Sequence, residues 1–436
     1  MRSPVIRKTT LLGTALFTAA ALSLTACGGG GGGGSSNSST VTIWSSIDQP
    51  VQDGLKKALE AKLQAQGSDI KIDWQKVENI NQLIITKIQA GDTPDIAFVP
   101  QPGVVKQMND LGAIKPLDDA VDMNSLQQSM IPGSLDFSTI DGKLDGLIVS
   151  MNIKGLVFYN KPVWDKAGYK VPTDLAGLET LTDQIKSSGT APWCFGIGSD
   201  TATGWPATDW IETLLMKYSG ADVYNKWVTN EVKFDSPEVT KAVDEFSKLM
   251  LTDGNVYGGR SSIASTGFDV AGNPLFQSPP KCAMLEQGSF IPAFFPKSAT
   301  KDLDANVGVF GIPPATAGGD NPVEVGGDTM TMLNDSANVK TVVKLLSETD
   351  IGNDAAETSS FISPHKDFDL SHYPNQLTKT MANVAYNAST TLFDASDQMP
   401  AQVGSGSFWK EVTAYISGQE DETTMLKNID ASWPSS

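Results

Sequence analysis

The sequence predicts an α/β protein of two lobes, each a mostly parallel sheet flanked by helices. Strand-like and helix-like hydrophobic periods alternate over residues 41–99, the order that builds an open parallel sheet. A second alternating set follows residue 160. The length, 436 residues, is more than one ordinary core supports.

Residues 41–44, VTIW, form a short β-branched strand. Residues 51–66 place Val51, Leu55, Ala58, Leu59 and Leu63 on one helical face. Residues 70–74 alternate as a strand does, and residues 80–90 carry Ile80, Leu83, Ile84 and Ile88 at helical spacing. Gly91 to Pro94 break that helix, and residues 95–99 make a third strand. In such sheets ligands collect at the carboxyl ends of the strands. That points to Ser45, Ser46 and Asp48 after the first strand, and to Pro100, Gln101 and Pro102 after the third. Residues 147–160 form a long β-rich run that reads as a connection between lobes. Beyond it, residues 180–186 and 210–218 read as helices and residues 193–197 as a strand. Ser236 and Pro237 start another helix, an N-cap followed by proline at the first position. Residues 283–285, 307–311 and 330–333 read as strands, and residues 337–346, 376–386 and 408–416 as helices. The expected division is residues 41–150 with 330–372 in one lobe, and 151–329 with 373–436 in the other.

The first forty residues read as an address. Arg2, Arg7 and Lys8 precede an uncharged apolar stretch, the layout of a secretory signal. Leu24-Thr25-Ala26-Cys27 resembles the bacterial lipobox, which implies cleavage before a lipidated Cys27. Ordinary cleavage, with Cys27 a bystander, is the alternative. Residues 28–40 are a Gly/Ser tether that cannot pack. Two or more acyl chains hold a protein stably at a bilayer. The expectation is a body displayed outside the cell membrane on a lipid anchor. Removing residues 1–27 deletes three basic residues and no acid.

The whole chain has 50 acidic and 32 basic side chains, a net charge of −18. That excludes nucleic acid, whose phosphates need clustered Lys and Arg. Three Cys and two His leave no His/Cys metal site. Residues 302–306 begin like a calcium loop, but Val307 stands where Gly is needed and no Glu closes it. Cys194 and Cys282 sit in an exported compartment and favour a disulfide over two buried thiols. It would close a loop of about ninety residues, worth at most about 4–5 kcal/mol.

Several segments resemble the carbohydrate-binding proteins of ABC importers. Gly91-Asp92-Thr93-Pro94-Asp95-Ile96 is similar to their entry to the third strand. Phe158-Tyr159-Asn160-Lys161 with Ala167-Gly168 resembles a segment past their first hinge, and Ala283-Met284-Leu285 leading to Gly288-Ser289-Phe290 resembles a turn of theirs. Gly204 to Glu212 (GWPATDWIE), Gly326-Gly327-Asp328, residues 394–400 and Val403 to Trp409 (VGSGSFW) resemble the α-glucoside-binding branch. The order matches over nearly the full mature chain. The resemblance implies a two-lobed, type II periplasmic-binding-protein-like fold with hinge crossings. It also implies a sugar ligand, no cofactor and no metal, a membrane permease with a separate ATPase as partners, and a monomer. The chain departs from the pattern at Pro100-Gln101-Pro102 and at Glu286-Gln287, which suggests a different sugar.

A sugar presents hydroxyls at its edges and C–H groups on its faces. Its site therefore needs flat aromatics and side-chain oxygens or amides. Of the nine Trp, Trp44, Trp205, Trp210 and Trp409 lie in Gly-, Pro- or Ser-rich surroundings. Core packing is the other reading for each. Asp48 is a hydroxyl acceptor or an N-cap, and Asp209 a ligand contact or a structural bridge. Ser46, Gln101, Gln287, Ser289, Phe290, Gly327 and Asp328 complete the candidate contacts. An exported glycoside hydrolase is the second function class, since it needs only two carboxylates. No G-x-S-x-G or H-E-x-x-H motif and no phosphate loop is present.

Overall fold

The computed structural model describes residues 39–434. The signal segment and Cys27 lie outside the described residues, as does most of the expected tether. The first three strands lie side by side as parallel neighbours: β1 (Thr40–Ser45), β2 (Lys71–Lys76) and β3 (Ile96–Val99). Ile43 faces Trp74 on one side and Ile96 on the other. The helices α1 (Gln49–Ala65) and α2 (Ile80–Ala90) return the chain between them, and α3 (Pro102–Asp110) follows β3. The predicted face of α1 is the buried one. Gly91 closes α2 with φ 71°, a left-handed cap.

Next come α4 (Met123–Ser129) and the small hairpin β4 (Thr139–Ile140) and β5 (Lys143–Leu144). The long run after them is two strands, β6 (Leu147–Ile153) and β7 (Leu156–Asn160), in two different sheets. Then follow α5 (Lys161–Ala167), α6 (Leu175–Ser187), β8 (Ala191–Cys194), α7 (Trp205–Val228) and α8 (Pro237–Phe246). The remaining strands are β9 (Cys282–Gln287), β10 (Val307–Gly311), β11 (Val323–Met332) and β12 (Thr391–Phe393).

The first sheet runs β12-β11-β3-β1-β2, with β6 also on β11; the second runs β10-β7-β9-β8. In the first, β11 is antiparallel to β3 and β6, and the other pairs are parallel. In the second only β8–β9 is parallel. The reason is β7. It enters straight from β6 with two residues between them, so no helical crossover sets its direction. Alternate residues of β7 serve two cores. Leu156 and Phe158 join the core that continues into the first sheet, and Val157 faces the core under α6, α7 and α8. Cys194 and Cys282 join β8 to β9 in a disulfide, with Cα atoms 5.4 Å apart.

The chain passes between the sheets at Lys154–Gly155, at residues 312–322, and beyond β12. These crossings are clipped together through the backbone. Lys154 N–H donates to the Glu324 carbonyl (3.0 Å), Ile312 N–H to that of Gly155 (2.8 Å), and Asp394 N–H to that of Val325 (2.8 Å). Among the described residues, no helix is long and apolar enough to cross a membrane.

Candidate functional site

A cleft of about 370 Å³ opens at the carboxyl end of β1 and β3, beside the crossings. Ser46, Asp48, Trp205, Phe290, Gly327, Asp328 and Trp409 line it, all from the sequence-based set, with Pro100, Asn152, Lys154, Asp394 and Asp397. A larger groove of about 700 Å³ runs between α3 and the second half of α7. Of the residues singled out after the strands, only Pro102 lines it, and none of the candidate sugar contacts does. The smaller cleft sets two indole faces, glycine backbone and side-chain oxygens at the carboxyl ends of the strands, and it is the candidate site.

Gly204 places the two tryptophans. Its φ is 119°, which an L side chain resists, and a Cβ there would strike the Trp409 backbone. The tight approach lets Trp205, at the start of α7, and Trp409 share one cleft. Trp205 also packs edge-on against Phe268 (5.2 Å between centroids) and lies 5.9 Å from Phe290. The Trp409 indole N–H donates to Ser396 Oγ (3.2 Å), whose hydroxyl donates to Asp394 (2.8 Å).

Asp328 sits where the β11–β6 register slips, and it is the one half-exposed residue in an otherwise buried strand. Burial, and then the charge of Asp48, push its carboxyl up to about 7. Asp48 begins α1 without capping it. Two carboxyl groups thus line the cleft with no side-chain partner among the described residues, free to meet ligand hydroxyls.

Beneath them lies a buried ionic cluster. Lys154 Nζ donates to Asp209 (2.7 Å) and Asp394 (2.9 Å) and stands 5.0 Å from the Trp205 ring centroid. Burial alone would lower its ammonium, but Asp209, Asp394 and Glu324 outweigh that and raise it. Burial likewise opposes ionisation of Asp394, yet Lys154 holds its carboxyl below the usual range. Asp209 is pushed up by burial and pulled back by Lys154, to about 7. Asp397 is driven well above the carboxylate range by burial and then by Asp394. Carboxylate oxygens of Asp209, Glu324 and Asp394 lie within 4.8 Å of one another, a spacing that suits a cation. The Lys154 ammonium, bonded to two of the three, supplies that positive charge.

The other sequence-based residues lie elsewhere. Trp44 does not line the cleft; its ring packs by α2 and α3 under Lys87. Trp210 is fully buried, edge-on to Trp193. Gln101 has both ends engaged, accepting from Asn81 (2.8 Å) and donating to Asp397 (2.7 Å). Gln287 caps the Gly288 N–H. Ser289 pins its turn to Ile153 through two hydrogen bonds. Asp209 lies under the floor. Sequence reasoning missed Asn152, Lys154, Asp394 and Asp397 as cleft residues. A lysine inside an apolar strand run was the available signal for Lys154.

The comparisons agree with this architecture. The family description "Bacterial extracellular solute-binding protein" matches residues 48–348. "Alpha-glucosides-binding periplasmic protein AglE" of Rhizobium meliloti is 34% identical over 381 residues, 85% of this chain and 82% of its own. "Osmoprotective compounds-binding protein GgtB" of Synechocystis sp. is 32% identical over 411 residues, 94% and 96% of the two chains. Among solved structures, the bacterial solute receptor AcbH superposes with TM-score 0.76 at 17% identity, over 90% of this chain and 98% of its own. The sugar-binding protein MalE of Xanthomonas citri gives 0.69 at 15%, over 90% and 95%. The fold is therefore the two-lobed type II arrangement, and the chain belongs to the bacterial extracellular solute-binding protein family.

Proposed function

We propose that this protein captures an α-glucoside or related small oligosaccharide between its lobes and hands it, unaltered, to the permease of an ABC importer. The observation that carries this reading is the cleft itself. Trp205, Trp409 and Phe290 offer flat apolar faces, while Asp48 and Asp328 offer oxygens with no side-chain partner among the described residues. The 34% identity to an α-glucoside-binding protein supports the sugar class. The lobes expected from the sequence, residues 41–150 with 330–372 and 151–329 with 373–436, move their boundaries to the crossings, which puts all of β6, β11 and β12 in the first lobe. The mature chain is a monomer, lipidated at Cys27 and held outside the cell membrane. It relies on a separate ATPase and catalyses no reaction.

A thermal-shift screen with maltose, trehalose, sucrose and longer glucans tests the reading, because a ligand that binds only the native state raises the melting temperature. A rise with at least one sugar, and intact sugar recovered afterwards, is expected. No shift with any of them, or released monosaccharide, defeats it. Metabolic labelling with a fatty acid, lost in Cys27→Ser, tests the anchor.

A further inference from the structure

The first half of α7, before Gly220, carries a polar stripe along a buried and largely apolar body. Asp209, Glu212, Thr213 and Lys217 recur at three- and four-residue steps, so they share one face. That face meets every crossing between the lobes. Asp209 binds Lys154 on the first crossing. Lys217 donates to Asn321 (2.6 Å) on the second, and Thr213 donates to Glu324 (2.7 Å) at the start of β11, where that crossing ends. Glu212 accepts the backbone N–H of Ala395 (2.5 Å) on the third. One turn before the stripe stands Trp205, in the cleft. Lys154 closes the circuit, since its one ammonium reaches Asp209 on α7, Asp394 beyond β12 and the Trp205 ring.

This arrangement is more than a set of bridges. Burying charge is costly unless each group is paired. Stability alone would be served by apolar side chains on the same stripe. Here the pairs join segments that must turn against one another when the lobes move. They also end at a ring and a carboxylate that line the cleft.

We propose that Lys154 is a positioning residue that couples the sugar site to the hinge. It holds Trp205 and Asp394 in one register with the crossings, so that a ligand settling on them also selects the lobe arrangement. The inference rests on the sugar-capture reading above. Its test is built so that the two fail separately.

The test compares wild type with Lys154→Arg, Lys154→Met and Thr213→Val. Affinity is measured by calorimetry with the sugar that gives wild type its largest thermal shift. The radius of gyration is measured by X-ray scattering with and without that sugar. Wild type should bind and change its radius. Lys154→Arg, which keeps the charge, should stay within about threefold of wild-type affinity and keep the change in radius. Lys154→Met should lose about ten- to hundredfold in affinity and lose the change in radius. Thr213→Val cuts the link to the start of β11, where the second crossing ends, and leaves the cleft wall intact, so it tests the coupling even if Lys154→Met does not fold. It should weaken binding about fivefold or more and blunt the change in radius. The proposal is overturned if the lysine or threonine variant melts earlier yet binds and changes radius as wild type does. That outcome means a purely structural role. If wild type binds no sugar, it is the functional reading that fails.

Discussion

At the scale of single residues, the cleft divides its work between faces and oxygens. Trp205→Ala removes an indole that stands half-exposed against Phe268 and Phe290. It should weaken sugar binding by about 1–3 kcal/mol through lost burial and stacking. Calorimetry on the folded variant checks this, and an unchanged dissociation constant returns Trp205 to the scaffold. Asp328→Ala removes an oxygen pair that has no other partner among the described residues, and hydrogen bonds to a charged group are worth about 1.5–3 kcal/mol. A loss of that size is expected above pH 7, where this carboxyl is ionised, with the melting temperature unchanged or raised. Trp205 and Trp409 could be read from the sequence because each lies in a stretch rich in glycine, proline or serine. Trp44 lies in similar company, yet its ring is taken up by α2 and α3. Lys154 was hidden for a different reason. Its partners Asp209 and Asp394 lie 55 and 240 residues away, and nothing local marks a lysine as paired.

At the scale of elements, α7 shows what hydrophobic periodicity reports and what it omits. Its apolar residues point all round in the first half, so the sequence reading recovered residues 210–218 of a segment that starts at Trp205 and breaks at Gly220, where φ is 79°, before a second segment runs on to Val228. The start is hidden because Gly204 and Pro206 look like a loop. In fact Pro206 occupies the first turn, where its missing N–H is harmless, and Gly204 permits the close approach to Trp409. Gly204→Val should therefore act on two elements at once. Its side chain would meet the Trp409 backbone at a φ that valine rejects, destabilising the fold by about 1–3 kcal/mol and weakening sugar binding in the folded fraction. Chemical denaturation with parallel calorimetry measures both. A variant with wild-type stability and affinity would show that the two tryptophans do not need this contact. The β6–β7 run was legible as β structure, but not as strands of two sheets. Lys154 and Gly155 look like an interruption too short to change sheets.

At the scale of the whole molecule, the acids buried near the crossings set how stability responds to pH. Asp209 and Asp328 titrate near 7 in the fold, against 3.8 for the free group. Burial raises Glu212, Glu286, Glu324 and Asp397 well above their ordinary range. Between about pH 4 and 7 the native state therefore holds protons that the unfolded chain has lost, and stability falls as pH rises through that window. Two groups oppose this trend. Burial lowers His365 to about 4, so it favours the fold more as pH rises from there to 6.5. Lys217, lowered by burial to about 7, makes stability recover with pH only above 7. One histidine does not offset six carboxyl groups, so the melting temperature should be higher at pH 5.5 than at pH 7.5. Glu286→Gln tests the cause. Glu286 lies under the cleft floor without lining it, and its raised carboxyl comes first from burial and then from the Asp209 charge. Glutamine keeps the shape and takes no part in the titration, so the variant should lose part of the difference between the two pH values. A melting temperature that is flat or rising from pH 5.5 to 7.5 in wild type would mean these carboxyl groups are ionised in the fold. The cluster would then need more positive charge than Lys154 and Lys217 provide.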